Sequence, residues 1–135
     1  MITVPKRDEL MLPILIYARE QVASDKTDVF NVKWSFNFLI NELDLSKNVF
    51  DVKIKNGKSK FDSNVRWAIK YLKEAKLLKN VGWGYYEITS RGLDVLEENP
   101  RRLSTKSLMK FKEFREYMDR YHKKYYVPDD QSRLM

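Results

Sequence analysis

The residues of this sequence whose chemical type and spacing could support a function are the basic side chains between positions 53 and 79. The stretch holds nine lysines and arginines against two carboxylates, so its net charge equals the +7 of all 135 residues. Long cationic side chains one helical turn apart, such as Arg66 and Lys70, can reach neighbouring phosphates or base edges. Such a localised basic surface favours a polyanionic partner, with a merely solvated lysine-rich face as the alternative.

A helix beginning near residue 61 must position these cations. Its apolar residues recur three and four positions apart and predict one buried stripe, formed by Val65, Ala68, Ile69, Leu72 and Ala75. The opposite, mostly basic face carries Ser63, Arg66, Trp67, Lys70, Lys73 and Glu74. We expect Asp62 or Ser63 to cap the free amides of the first turn.

A tight hairpin is expected directly after this helix. β-forming residues lie on both sides of Gly82-Trp83-Gly84, and these glycines can adopt positive φ angles. Tyr85 and Tyr86 would then alternate across the second strand, one of them facing the core. A helix followed by a basic and aromatic hairpin is typical of a winged helix, whose recognition helix enters the DNA major groove.

The residues before the recognition helix predict the other elements of that fold. A first helix is expected from residue 6 to about 22, with a kink or a break at Pro13, which cannot donate a backbone hydrogen bond. A short strand at 29–32 would pair with the hairpin. A second helix at 33–45 would bury the stripe Phe36, Leu39, Ile40 and Leu43, with Trp34 and Phe38 in the core or at its border.

The connection at 46–60 is long for a link between packed helices, so it should be functional or partly structured. After the hairpin, Thr89 or Ser90 would cap a helix carrying Leu93, Val95 and Leu96, which ends at Asn99-Pro100. The expected fold class is therefore mostly α with a small β-hairpin, a winged helix-turn-helix. We divide the chain into a winged-helix domain at 1–100 and a C-terminal part at 101–135.

One long amphipathic helix is expected at 104–126, before an unpacked tail at 127–135. Its stripe of Leu108, Phe111, Phe114, Met118 and Tyr121 must be covered, because exposed apolar rows of that length are rare on monomers. The cover would be a second copy in a homodimer, an effector that the helix connects to, or the chain's own domain. His122, the single histidine, should lie on the helix surface.

Several segments in the right order resemble the N-terminal winged-helix domain of Mrr-type restriction enzymes. They are residues 4–5, 9–13, 61–68, 71–78 and 86–92, followed by 98–100 and 111–117. In that family the winged helix binds DNA and targets a nuclease domain, often to foreign or methylated DNA. The resemblance therefore implies a target-recognition module of a restriction or defence system.

The nuclease core of that family needs an aspartate and a Glu-x-Lys motif at a sheet edge to hold Mg²⁺. Here Glu74-Ala75-Lys76 is the only such motif, and it lies in the recognition helix without a partner carboxylate. We expect a non-enzyme with no catalytic residue, no metal site and no cofactor. The chain is either a fragment of a nuclease or a stand-alone module, and the nuclease would be another domain or subunit.

The composition indicates in which compartment the protein would work. The chain has no cysteine, which excludes a disulfide framework, and its longest apolar run, at 10–17, is shorter than the roughly 20 residues of a membrane span. These features fit a cytoplasmic protein without a membrane partner.

The predicted partner is double-stranded DNA. Lys58 and Lys60 would bind phosphates, while Arg66, Lys70 and Lys73 enter the major groove. Asn64 would read adenine or serve as a second cap, and Ser63, beside it, is also expected to contact DNA. The aromatic candidates for stacking on a base, flipped or methylated, are Trp67, Trp83 and Tyr85, although Trp67 could instead pack under the wing or the preceding loop.

Two other functions share this fold. In a protein-interaction module the winged helix would be only a scaffold, and the aromatic wing would bind another protein. A small transcription regulator would use the same DNA contacts but prefer one sequence.

Overall fold

The computed structural model describes residues 2–24 and 27–125, with side chains up to Tyr121. Within these ranges the elements are α1 (Arg7–Ala23), β1 (Phe30–Asn31), α2 (Val32–Glu42), α3 (Lys60–Glu74), β2 (Leu78–Gly82), β3 (Tyr85–Ile88), α4 (Ser90–Glu97), α5 (Thr105–Leu108) and α6 (Lys112–Tyr125). A short 3-10 turn, Val49–Asp51, precedes α3. The predicted α+β winged helix is confirmed. The expectations for His122 and for the tail lie outside what the structure describes.

Helix α1 lies at the centre of the core. It contacts α2, α3, α4 and β3, and its residues Leu10, Met11, Ile14, Leu15 and Ala18 are fully buried. The helix continues through Pro13, so of the predicted kink or break the break is absent. A proline in a helix interior costs about 3 kcal/mol, and packing of α1 on several sides offsets that cost.

The three strands form one antiparallel sheet in the order β1-β3-β2. Phe30 pairs with Tyr86, which confirms that the short strand joins the hairpin. Tyr86 packs against the core, 6.0 Å from the ring of Phe30, whereas Tyr85 points outward. The hairpin turns through Trp83 and Gly84, and Gly84 has a φ of 78°, a conformation that glycine adopts without strain.

Two helical side chains are more exposed than predicted. Trp34 is 48% exposed because it lies in the first turn of α2, off the buried stripe, where its ring meets Tyr85 edge-on at 5.6 Å. Leu93 is 37% exposed on α4, while Val95 and Leu96 are buried as expected. Thr89 caps α4 by accepting a hydrogen bond from the amide of Gly92.

The connection before α3 is ordered by its own contacts, as expected for a loop of that length. Phe50 of the 3-10 turn packs between Phe36 and Phe61, with ring centroids 5.1 and 5.2 Å away. Lys53 and Ser59 then form an isolated β-bridge that closes a tight turn. These contacts fix the position of the chain at the start of α3.

Helix α3 begins earlier than predicted. Its cap is Ser59, whose hydroxyl accepts from the amide of Asp62 at 3.1 Å, so the expected capping by Asp62 or Ser63 is wrong. The β-bridge at Ser59 brings that hydroxyl to the helix start, whereas Asp62 is already in the first turn. The buried stripe from Val65 to Ala75 is confirmed.

The C-terminal stretch is two helices rather than one, because the chain turns between Leu108 and Lys112. Leu108 and Phe114 are both fully buried. Six residues apart on one straight helix, they would point about 120° away from each other, so the turn lets both reach the core. The phenyl ring of Phe114 packs on Tyr71 of α3, with centroids 5.3 Å apart.

The apolar stripe of this stretch therefore folds back on its own domain. Phe111 and Met118 are partly buried against the same core. Of the three ways considered above in which the stripe could be buried, the structure shows packing on the chain's own domain. An exposed apolar stripe is therefore no longer a reason to expect a homodimer through these residues.

Candidate nucleic-acid interface

An open groove with a volume of about 730 Å³ runs between α3 and the turn that precedes it. The groove brings together five of the predicted contact residues, Lys58, Ser63, Arg66, Trp67 and Lys70. Its remaining lining residues are Ile54, Asn56, Ser59 and Asp62. We call this surface the recognition groove.

The turn at 54–58 holds Lys58 at the edge of the recognition groove. The amide of Ile54 donates to the carbonyl of Lys58, and the amide of Lys58 donates to Oδ1 of Asn56, both at 2.9 Å. Gly57 takes a φ of 85°, which suits glycine at this position. The exposed ammonium of Lys58 forms no salt bridge within the described residues.

Three cations of α3 are paired along their own helix. Arg66 donates to Asp62 at 2.6 Å, and Glu74 lies 3.5 Å from Lys70 and 3.6 Å from Lys73. Exposed pairs of this kind contribute only about 0.2–1 kcal/mol each. A phosphate can therefore replace these carboxylates. Together with Lys58, the three helical cations outnumber the carboxylates of Asp62 and Glu74 by four to two, so the surface has a net positive charge.

Trp67 forms a wall of the recognition groove. It is 38% exposed and packs edge-on against Tyr71 with centroids 6.0 Å apart, rather than under the wing. Its other side lines a cleft of about 270 Å³ with Arg7, Asn64, Tyr71 and Tyr121. The ring is thus fixed in place while part of it stays open to a ligand.

Asn64 faces away from the recognition groove. Its Nδ2 donates to the carbonyl of Pro5 at 2.9 Å, and Ser59 holds the capping position. Asn64 therefore anchors the N-terminal segment to α3, a role that sequence reasoning did not consider. Lys60, on the same side of the helix, lines a different groove with Asn64.

The wing presents aromatic side chains to solvent. Trp83 at the hairpin tip is 98% exposed, and Tyr85 is 36% exposed next to Trp34. Trp34 was not predicted from the sequence as a binding residue, although its position outside the apolar stripe of α2 indicated that its side chain could be exposed. These three rings make a surface that stacking or apolar contact could use.

Helix α6 lies beside α3. The ammonium of Lys70 lies 5.4 Å from the ring centroid of Tyr117, close enough for a cation–π contact. At the other end of α3, Arg91 donates to the carbonyl of Ala75 and to both oxygens of Glu113. The Arg91 hydrogen bonds lower the pKa of Glu113 to about 2, so this carboxylate stays ionised.

Within residues 2–24 and 27–125, no group of three or more His, Asp or Glu is placed to hold a metal ion. Among the same residues, no helix has the length and apolar character needed to cross a membrane.

The fold is a winged helix, and the recognition groove gives it a basic, partly aromatic surface on α3. The family model of the Mrr N-terminal domain matches residues 8–98, and the chain belongs to that family. Comparison with curated proteins and with solved structures gave no significant match.

Proposed function

We propose that this domain binds double-stranded DNA as the target-recognition part of a restriction or defence system. The observation that carries the proposal is the recognition groove, where Lys58, Arg66 and Lys70 meet on the open face of α3. In a winged helix this face enters the major groove, and side chains one turn apart contact base edges or adjacent phosphates. Membership of the Mrr N-terminal family supports a role in restriction.

The proposal gives each cation a role that follows from its position. Lys58, on the turn before α3, contacts a phosphate beside the major groove, and Lys60 does so from the start of the helix. Arg66 and Lys70 exchange their helical carboxylates for phosphates or base edges, and Lys73 does so one turn further on. The free-energy cost of breaking the surface pairs is small compared with the release of counterions from DNA.

The aromatic residues give the domain a means of detecting modified DNA. Trp83 in the hairpin turn is 98% exposed, and Tyr85 begins the strand that follows, so both can touch the DNA beside the recognition helix. Trp67 offers a fixed ring within the recognition groove. A methylated or flipped base gains stacking and apolar contact from such rings. Cleavage, in this proposal, belongs to a nuclease domain or subunit that this domain directs.

Fluorescence anisotropy with matched unmodified and methylated duplexes tests the proposal. Arg66→Ala/Lys70→Ala should abolish or strongly weaken binding, because two of the three cations of the recognition groove are lost. Arg19→Ala/Lys112→Ala changes the net charge equally at exposed positions outside the groove and should bind as the wild type does. Equal loss in both variants would show only a nonspecific charge effect and would contradict the assignment to α3.

A protein-interaction module is the second candidate, and the exposed rings of Trp34, Trp83 and Tyr85 favour it. Protein partners bind such aromatic surfaces with little dependence on salt, whereas DNA binding weakens steeply as salt rises. A salt-insensitive partner that is lost on Trp83→Ala would support this candidate over DNA.

A further inference from the structure

We propose that a second basic groove, to which segments on either side of the family-matched region contribute, extends the DNA contact beyond the recognition helix. This inference rests on the proposed DNA-binding function. The groove has an open volume of about 680 Å³ and is lined by Lys6, Arg7, Asp8, Glu9, Lys60, Asn64 and Arg102. We call it the flanking groove, and its ligand is the phosphate backbone of the duplex bound by α3.

The flanking groove borders the same end of α3 as the recognition groove. Lys60 and Asn64, in the first two turns of α3, line the flanking groove, while Ser63 and Arg66 line the recognition groove. A duplex whose major groove receives α3 also passes its backbone over the start of that helix. Phosphates leaving the recognition groove therefore meet the flanking groove next.

The carboxylates of the flanking groove are already engaged. Asp8 accepts from Nε of Arg7 and from both the amide and the hydroxyl of Thr105, each at 3.0 Å. Burial alone would raise the pKa of Asp8, but the bonds from Thr105 and Arg7 outweigh it and lower the pKa. Glu9 accepts from the backbone amide of Lys6 at 2.9 Å.

Three cations of the flanking groove consequently lack a carboxylate partner. Lys6, Lys60 and Arg102 are exposed, and none of them forms a salt bridge within the described part of the chain. Unlike Arg66, Lys70 and Lys73, they need break no ion pair to meet a phosphate. This difference makes the flanking groove the more readily available phosphate site.

The floor of the flanking groove is held rigidly. The guanidinium of Arg7 lies 4.4 Å from the ring centroid of Tyr71 and donates to Thr105 at 3.1 Å. Asn64 ties the segment around Pro5 to α3. These bonds join the starts of α1, α3 and α5, and so hold together the segments that carry the three cations.

Two of the three cations lie outside residues 8–98, the region that the family model covers. Lys6 precedes it and Arg102 follows it. The short segments that flank the winged helix thus add to the phosphate contacts that the family domain makes by itself.

The test is the salt dependence of duplex binding by Lys6→Gln/Arg102→Gln, measured by fluorescence anisotropy on folded protein, as checked by thermal melting. Loss of two phosphate contacts should reduce the slope of log K against log[salt] by about 1.8. Arg19→Gln/Lys112→Gln removes the same charges from α1 beyond the groove and from the start of α6, and its slope should match the wild type.

A wild-type slope for Lys6→Gln/Arg102→Gln would overturn this inference, and so would an equal reduction in the Arg19→Gln/Lys112→Gln control. In either case the proposed function still stands if Arg66→Ala/Lys70→Ala loses binding. Failure of the wild type to bind any duplex would overturn both proposals together.

Discussion

The guanidinium of Arg91 donates two hydrogen bonds to the carboxylate of Glu113, at 2.9 and 3.2 Å. The same guanidinium donates to the carbonyl of Ala75 at 3.0 Å, which satisfies a free acceptor at the C-terminal end of α3. One side chain therefore joins the end of α3 to the starts of α4 and α6. This clamp holds α6 beside the candidate interface.

The clamp predicts a specific pH dependence of stability. Because the Arg91 hydrogen bonds lower the pKa of Glu113 from 4.5 to about 2, the ionised clamp stabilises the folded state fully above about pH 4.5. This stabilisation is lost progressively as the pH falls from 4.5 towards 2. Glu113→Gln should melt below the wild type at pH 7, and the gap should close in that window.

Glu116→Gln is the control for the clamp, since Glu116 is exposed on the same helix. Its melting temperature should follow the wild type over the whole pH range. A constant gap between Glu113→Gln and the wild type from pH 7 to pH 2.5 would contradict the clamp.

Gly92→Ala should destabilise the fold. A Cβ at this position would collide with the backbone oxygen of Leu77 and lie 2.7 Å from Cγ1 of Ile88. Overpacking of this kind costs about 1–3 kcal/mol, which exceeds the gain of about 1 kcal/mol from replacing glycine in a helix. Urea denaturation should give a lower midpoint for Gly92→Ala and an almost unchanged one for the exposed Ser90→Ala.

Ser59→Ala should cost about 0.5–2 kcal/mol of stability, because the hydroxyl of Ser59 caps α3. Ser63→Ala, inside the first turns of the same helix, should cost much less. The free energy of unfolding of both variants, measured by chemical denaturation, shows which of the two serines caps the helix. The reverse order of cost would place the cap at Ser63.

Trp83→Ala separates folding from binding at the wing. The side chain is 98% exposed, so its removal should change the free energy of unfolding by less than about 0.5 kcal/mol. Loss of a stacked base should weaken duplex binding by about 1–3 kcal/mol. Val81→Ala on the same hairpin should affect neither quantity. Unchanged DNA affinity of Trp83→Ala would remove the wing tip from the interface.

Features that depend on residues close together in the chain were predictable from the sequence. The spacing from Val65 to Ala75 identified the buried face of α3, and Gly82-Trp83-Gly84 identified the hairpin tip. Both depend on neighbours within a few residues, so local physical chemistry decides them. The contact roles of the residues on the opposite face of α3 stay predictions.

Features that depend on distant parts of the chain were not predictable. Several residues could cap α3, and the β-bridge between Lys53 and Ser59 selects Ser59. The turn after Leu108 follows from burial of Leu108 and Phe114 in one core. Lys6 and Arg102 are far apart in sequence, and only the folded chain brings them to one groove.

The most direct test of DNA binding through the basic face of α3 is the salt dependence of wild-type affinity for an unmodified duplex. Five phosphate contacts, one each from Lys58, Lys60, Arg66, Lys70 and Lys73, predict a slope of log K against log[salt] near −4.5, at about −0.9 per contact. The two further contacts proposed for Lys6 and Arg102 bring the expected wild-type slope to about −6.3. Arg66→Ala/Lys70→Ala should reduce that slope by about 1.8. A slope near zero, or no binding at low salt, would contradict the account.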